Sequence, residues 1–421
     1  MTYMTPSRDD AVSVAIVGGG AAGMMAAVMA AREGARVTLF ERNSRLGKKL
    51  RITGKGRCNL TNDCDQNEFL SNVPTNPRFL YAALSGFSTA DTKAFFEEAG
   101  VPLKTERGKR VFPVSDKASD VVAALEKACR GLGVYIVQKR VQSILTDAGR
   151  VCGVMTANAE YEADAVIVCT GGKSYPQTGS DGDGYRFAKE AGHTVTEIAP
   201  SLVPLVASGR LCASMQGLSL KNVSLRIVNL VSQKCVYEDF GEMMFTHFGL
   251  TGPLVLSASA HLSDIRPDLY EAHIDLKPAL DEKTLDARIR SDFEKYRNRD
   301  FLNALSDLLP QKMIEPFISL CEIDGRKKVH SVTKEERERM VRTLKCLRVP
   351  LIGFRPIHEA IVTRGGVSVK EINPKTMESK LVRGLYFAGE VLDVDAYTGG
   401  FNLQIAFSTA VAAGKAAAYQ A

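Results

Sequence analysis

The stretch that most constrains this chain is its beginning. Val12-Ser-Val-Ala-Ile-Val17 is a short apolar run rich in β-branched residues, which predicts a buried parallel strand. It runs directly into Gly18-Gly-Gly20-Ala-Ala22-Gly23, and Met24 to Arg32 has helical composition. A second strand, Arg36-Val-Thr-Leu-Phe40, ends at Glu41. Gly18 allows the tight turn, Gly20 lets a pyrophosphate approach the backbone, and Gly23 lets the helix pack closely on the strand. The helix start, with Ala22 in its first turn, offers free N–H groups and a positive dipole end to phosphates. Glu41 lies where a carboxylate can accept from ribose hydroxyls. Glycine-rich turns are common, but here a strand precedes, a helix follows and an acid closes the second strand, so the context for dinucleotide binding is met.

A second signal stands at the other end. Gly384-Leu-Tyr-Phe-Ala-Gly389-Glu390 reads as a strand ending in Gly-Glu. Asp395-Ala-Tyr397-Thr-Gly-Gly400-Phe401-Asn402-Leu403-Gln then turns into an Ala-rich helix, expected from Ile405 onward. A carboxylate at such a strand end suits ribityl hydroxyls, and the start of the next helix suits the flavin N1/O2 edge, which is anionic when reduced. In the middle, Ala165-Val-Ile-Val-Cys-Thr170-Gly171-Gly172 is an apolar strand of the kind that returns to the adenosine half of FAD, and Val141 opens a nearby strand. Motifs so far apart that serve one ligand point to FAD rather than NAD. The segment from Arg42 to Asn62 agrees, being long, Gly-rich and basic, with no strand–helix rhythm; such a loop can wrap an extended cofactor with Arg42, Lys49, Arg57, Cys58 and Asn59.

Within that loop, GKKLRITGKGRCNLTN (residues 47–62) resembles the signature of the BaiN/YhiN-type flavoproteins, also known as aminoacetone-oxidase-like FAD-binding enzymes. Most members carry glycine where this chain has Lys55, which adds a charge near the expected flavin entrance. SYPQTGSDGDG (174–184) and EMMFTHFGLTGP (242–253) are similar to the same family's pattern. The resemblance spans nearly the whole chain. It implies an α/β fold: a discontinuous Rossmann-type FAD-binding domain with an inserted β-rich, barrel-like domain and a small helical domain. The expected divisions are 1–195 for the first part of the FAD domain, 196–278 for the β-rich insert, 279–345 for the helical insert and 346–421 for the C-terminal part.

The residues agree with that division. Short alternating runs fill the region from Glu197 to Ile274. Leu280 to Arg348 is charged, Leu-rich and nearly free of glycine, with Leu302, Leu305, Leu308 and Leu309 at helical spacing. Val134–Val137, Val141–Ile144 and Val151–Met155 read as a small meander. A chain of 421 residues exceeds one core, since domains run to ~100–200 residues. Only Met1–Asp10 reads as disordered. Nine scattered cysteines without a CxxC, and six histidines without metal spacing, argue against a disulfide framework and a metal site. The longest apolar stretch, Val12–Ala31, is broken by glycines and lacks a signal peptide's flanks, so no membrane association and a cytoplasmic location are expected.

There is no second G-x-G-x-x-G for a dedicated nicotinamide domain, so NADH or NADPH is expected to take turns with the substrate at one flavin. Hydride transfer to a polarised C=C needs, besides the flavin, a proton donor and groups that hold the enolate. Tyr397, Arg57 and His247 are the catalytic candidates. Relatives include enzymes reducing conjugated double bonds of bile-acid-type 3-oxo steroids and others reducing uracil in ribosomal RNA. The expected substrate is a small 3-oxo-Δ4 enone; a net charge of +6 is mild for nucleic-acid binding, which stays the alternative.

Overall fold

Five parallel strands organise the first unit of the computed structural model, which describes residues 11–419; Met1–Asp10 lies outside them. The sheet order is Leu385–Phe387, Ala165–Val168, Ser13–Val17, Arg36–Phe40, Tyr135–Val137. The strands nearest the sequence ends are thus built into one sheet through Ala165–Val168, with Val14 opposite Ala165 and Val166 opposite Leu385. Ala165–Val168 is buried throughout, which explains its unbroken apolar run. Tyr135–Val137, expected in the meander, instead extends the parallel sheet beside Arg36–Phe40. The meander consists of Val141–Asp147, Arg150–Thr156 and Glu160–Glu162.

Two helices made almost wholly of small and apolar residues cross this sheet. Ala21–Arg32 is buried from Ala22 to Ala30, and the C-terminal helix runs from Phe401 to Ala418. A helix that is apolar all round needs partners on every side. Here they are each other: a Cβ on Gly414 would stand 2.6 Å from the Ala26 carbonyl oxygen, so glycine permits backbone contact between the helices. The C-terminal helix starts four residues earlier than its Ala-rich run suggested, placing Phe401, Asn402 and Leu403 in its first turn. A hairpin, Leu103–Glu106 with Arg110–Pro113, carries Thr61–Asn62 on its edge.

The chain divides into two units, Met1–Ser201 with Ile357–Ala421, and Leu202–Pro356. The second contains a closed six-stranded barrel of Leu205–Ala207, Gly249–Thr251, Lys234–Phe245, Ser219–Asn229, Tyr270–Asp275 and Leu347–Phe354. Helices Glu282–Lys295, Gln311–Cys321 and Lys334–Lys345 share the barrel's core, in which Leu285, Ile289, Phe317 and Leu344 join Leu225, Ile227 and Ile274. Residues 347–354, expected in the FAD domain, close the barrel between Leu205–Ala207 and Tyr270–Asp275. The reason is edge satisfaction: without that strand both neighbours would present unpaired backbone groups. The boundary expected at 346 therefore falls at 356, and the helical segment is part of the barrel unit rather than a separate core.

Among the described residues, no helix is long and apolar enough to cross a membrane, and no group of three or more His, Cys, Asp or Glu side chains could hold a metal.

Candidate functional site

The glycines of the first turn have different physical reasons. Gly18 has φ +104, and a Cβ there would sit 2.6 Å from the Cys169 carbonyl oxygen. At Gly23 a Cβ would overlap the Gly18 carbonyl oxygen, so the helix can lie on the turn only with glycine. Gly20 differs. Its φ of −82 suits any residue, and a Cβ there would meet nothing within 4 Å. The protein itself does not need glycine at position 20, and the backbone there faces open space.

Gly20 caps helix Ala21–Arg32 without any side-chain hydrogen bond, and no acid stands in the first turn. Gly400, with φ +97 and pressed against the Thr61 backbone, caps helix Phe401–Ala418 in the same way. Within one unit, two long helices thus keep their first N–H groups free of side-chain caps, an arrangement that favours anionic groups. Asn402 shapes the approach to the second helix. Its Oδ1 accepts from Ala396 N–H at 3.0 Å, and its Nδ2 donates to the Ala396 carbonyl at 2.6 Å. Tyr397 follows directly and is anchored by its N–H to the Asn72 carbonyl at 3.0 Å.

Glu41 is buried. Its Oε2 accepts from Gly19 N–H at 2.8 Å and its Oε1 from the Asn43 backbone and side-chain N–H groups at 2.7 Å each. A carboxylate has about four acceptor sites, so capacity remains for a ligand hydroxyl. Arg42 pairs with Asp181 in the 174–184 loop, where Arg140 also holds Asp183 at 2.7 Å.

Glu390 is the centre of the other acidic position. Lys49 Nζ lies 2.7 Å from its Oε2 and donates to Ser174 Oγ at 2.8 Å. Its Oε1 accepts from Thr363 N–H at 2.9 Å and Ser174 Oγ at 3.1 Å. A Cβ on Gly172 would come 2.8 Å from that same oxygen, so glycine there makes room for the carboxylate. Ala22 underlies Gly389: a Cβ on the latter would stand 2.9 Å from the Ala22 methyl. Gly171 has φ +72 and lies beside Ser180. Val141 is buried at the start of its strand, opposite Thr156.

The basic loop folds around kinked backbone, with Gly54, Lys55 and Cys58 at positive φ. Burial pushes the Cys58 thiol up to about 12, so it is neutral and unreactive near pH 7. Arg57 packs over the Phe112 ring, 4.2 Å from its centroid, and pairs with Glu106 and with Asp116 at 2.7 Å. Hydrogen bonds to those carboxylates raise its pKa further, so it stays a cation. Its guanidinium donors are engaged in anchoring the loop to the hairpin. His247 belongs to the barrel unit; it is exposed and packs edge-on against Phe248 at 5.0 Å.

Among the described residues, six buried polar atoms of the first unit have no partner: Arg51 Nε, Asn59 Oδ1, Thr92 Oγ1, Thr170 Oγ1, Tyr185 Oη and Asp395 Oδ1. Unsatisfied buried groups are costly and need an explanation. Three of them, on Arg51, Asn59 and Thr170, lie in the two segments expected to line a dinucleotide, and with the open backbone at Gly20 they fit one. Sequence reasoning missed Arg51, Ser174 and Thr363. Arg51 lies inside the quoted motif, whereas Thr363 stands in a segment without any motif. Also unforeseen was Asp395, buried with its Oδ2 accepting from Ser201 Oγ at 2.6 Å, and close enough to Asp393 that burial and the second acid together hold the Asp393 carboxyl above its usual range.

A family model described as the HI0933-like protein Rossmann domain matches residues 12–416. The chain is 32% identical over 419 residues to a 3-dehydro-bile acid delta(4,6)-reductase of Clostridium scindens, covering 96% of this chain and 98% of the relative. It is 30% identical over 408 residues to the ribosomal RNA dihydrouridine synthase of Escherichia coli, covering 96% of each. Among solved structures, a 3-ketosteroid delta1-dehydrogenase from Sterolibacterium denitrificans matches with a TM-score of 0.52 over 96% of this chain and 99% of that one. At 13% identity that likeness concerns the fold. Matched over nearly its whole length, with the expected loop motif in place, the chain belongs to the HI0933-like family of Rossmann proteins, the BaiN/YhiN type.

Proposed function

We propose that this protein is an FAD-dependent oxidoreductase that uses NADH or NADPH to reduce a conjugated C=C bond of a small molecule of the 3-oxo-Δ4 steroid or bile-acid type. The observation that carries the flavin reading is the pair of uncapped helix starts in one unit, with Gly20 open to approach and Arg51, Asn59 and Thr170 unpartnered. Support for the reaction comes from the Clostridium scindens relative, whose name describes reduction of such double bonds.

When bound, FAD supplies two-electron chemistry at a ring that becomes negatively charged on reduction. The residues around it divide the remaining work. Backbone N–H groups from Gly20 to Gly23 would hold phosphate, since those of Gly18 and Gly19 already donate to the Phe40 carbonyl and Glu41; Glu41 would take ribose hydroxyls and Glu390 ribityl hydroxyls. The N–H groups of Phe401, Asn402 and Leu403, at a helix start without a side-chain cap, would suit the ring's negative edge. Arg42, Val141, Thr170 and Gly171 would line the adenosine side, Gly172 makes room for Glu390 and Asn59 would join the wrapping loop, which Arg57 anchors to Glu106 and Asp116. Tyr397 Oη is the proposed proton donor to the α-carbon of the enone, and His247 is the second candidate, separable by substitution.

A second reading, reduction of uridine in ribosomal RNA, is favoured by the Escherichia coli relative and by the exposed Arg45, Lys55, Arg107 and Arg110 on the loop and hairpin. The deciding experiment is anaerobic stopped-flow of the flavin-loaded protein with NADH or NADPH, followed by a 3-oxo-Δ4 steroid or unmodified ribosomal RNA. Bleaching followed by recovery with steroid alone supports the enone reading. Recovery with RNA alone transfers it to the second, and no bleaching with either nucleotide refutes NAD(P)H dependence.

A further inference from the structure

Lys49 and Glu390 stand 341 positions apart and meet at 2.7 Å with about a fifth of each side chain exposed. The pair is not an incidental surface contact. Lys49 has a second acceptor in Ser174 Oγ, and Glu390 has two further donors in Thr363 N–H and Ser174 Oγ. Four segments that share no sequence proximity therefore converge on one carboxylate: the basic loop, the 174–184 loop, the strand Val362–Arg364 and the Gly-Glu strand end. Partly buried charges in such a network are screened less than exposed ones, so the sign of the local charge matters to any charged group bound nearby.

We propose that Lys49 is a positioning residue that sets the reduction potential of the flavin by cancelling the charge of Glu390. This rests on the assignment of Glu390 to the flavin's ribityl chain. Reduction adds negative charge to the ring. A carboxylate without its cation would oppose that step, and a cation without its carboxylate would favour it. The two substitutions consequently act in opposite directions, and removing both charges together restores the balance.

The test is the flavin midpoint potential of the purified holoprotein at pH 7, measured by equilibration with redox dyes. Lys49→Met is expected to shift the reduced-to-oxidised ratio at a fixed potential at least tenfold toward the oxidised form, which for a two-electron couple is ~30 mV more negative. Glu390→Gln shifts it the other way, and the double variant returns near wild type. Lys49→Arg keeps the charge and stays near wild type, which separates charge from folding should Lys49→Met prove unstable. A Lys49→Met protein with weakened FAD affinity but wild-type potential would assign Lys49 to structure alone and overturn the proposal. So would a double variant no closer to wild type than the single ones. A wild-type protein that takes up no FAD refutes the flavin reading itself, whereas one that binds FAD but ignores enones still permits this test.

Discussion

Gly20 and Gly23 belong to one motif, yet the structure predicts opposite outcomes when each becomes alanine. At Gly20 the backbone has φ −82 and ψ −165, which alanine adopts without strain, and the new methyl would meet nothing within 4 Å. Replacing glycine at a compatible position narrows the unfolded ensemble and stabilises by ~0.4–1 kcal/mol. For a chain of this size that is a rise in Tm on the order of 0.5–1 °C. At Gly23 the methyl would overlap the Gly18 carbonyl oxygen and lie 3.0 Å from its carbon, so the helix must back away from the turn. Overpacking of this kind costs ~1–3 kcal/mol or more, because the turn, the helix and Cys169 are all held by the buried sheet. The assay is thermal unfolding of the flavin-free proteins, paired with FAD titration followed by quenching of flavin fluorescence. Gly20→Ala should melt at or slightly above the wild-type temperature while binding FAD at least tenfold more weakly. Gly23→Ala should lose stability with and without the ligand. If Gly20→Ala binds FAD as tightly as wild type, the argument that this backbone is left bare for a pyrophosphate is wrong.

Two other perturbations follow from the same structure. His193 is buried, with Nδ1 3.0 Å from Glu371 and Nε2 2.8 Å from Ser379 Oγ, which already accepts from the N–H groups of Leu381 and Val382. A neutral ring, donating to Glu371 and accepting from the serine, satisfies every partner. Burial accordingly lowers the His193 pKa, outweighing the attraction of Glu371. Because the folded value lies below the unfolded ~6.5, stability should be full above that pH and decline as pH falls below it. His193→Gln should flatten the dependence of Tm on pH between 7.5 and 5, and an unchanged slope would dismiss the histidine as its source. Gln404, buried in the C-terminal helix, accepts from Thr61 Oγ1 at 2.6 Å and donates to Ser408 Oγ and the Ser88 carbonyl. Gln404→Ala should destabilise by ~1–3 kcal/mol by orphaning these groups; a wild-type denaturation midpoint would show that water replaces the side chain at no cost.

The sequence by itself determined the parallel-sheet domain, its glycine fingerprint, an irregular basic loop after the second strand and the β-rich region that became a barrel. These were legible because their causes are local: a phosphate-binding turn needs particular residues within a dozen positions, and a buried strand shows its burial in its own composition. Tertiary structure alone decided what joins distant segments. Pairing of Leu347–Phe354 with the barrel follows from two open edges, a condition that no feature of those eight residues announces. Tyr135–Val137 looks like any short strand, and only the free edge at Arg36–Phe40 draws it into the parallel sheet. Arg57 read as a catalytic candidate in the loop, and the carboxylates of Glu106 and Asp116 that engage it lie some fifty residues on. Lys49 and Glu390 were each assigned to the cofactor separately, and their contact across 341 positions emerged only when the loop closed over the strand end. Hydrogen bonds and ion pairs of that range leave no period and no spacing in a sequence, since the chain between them is free to be of any length.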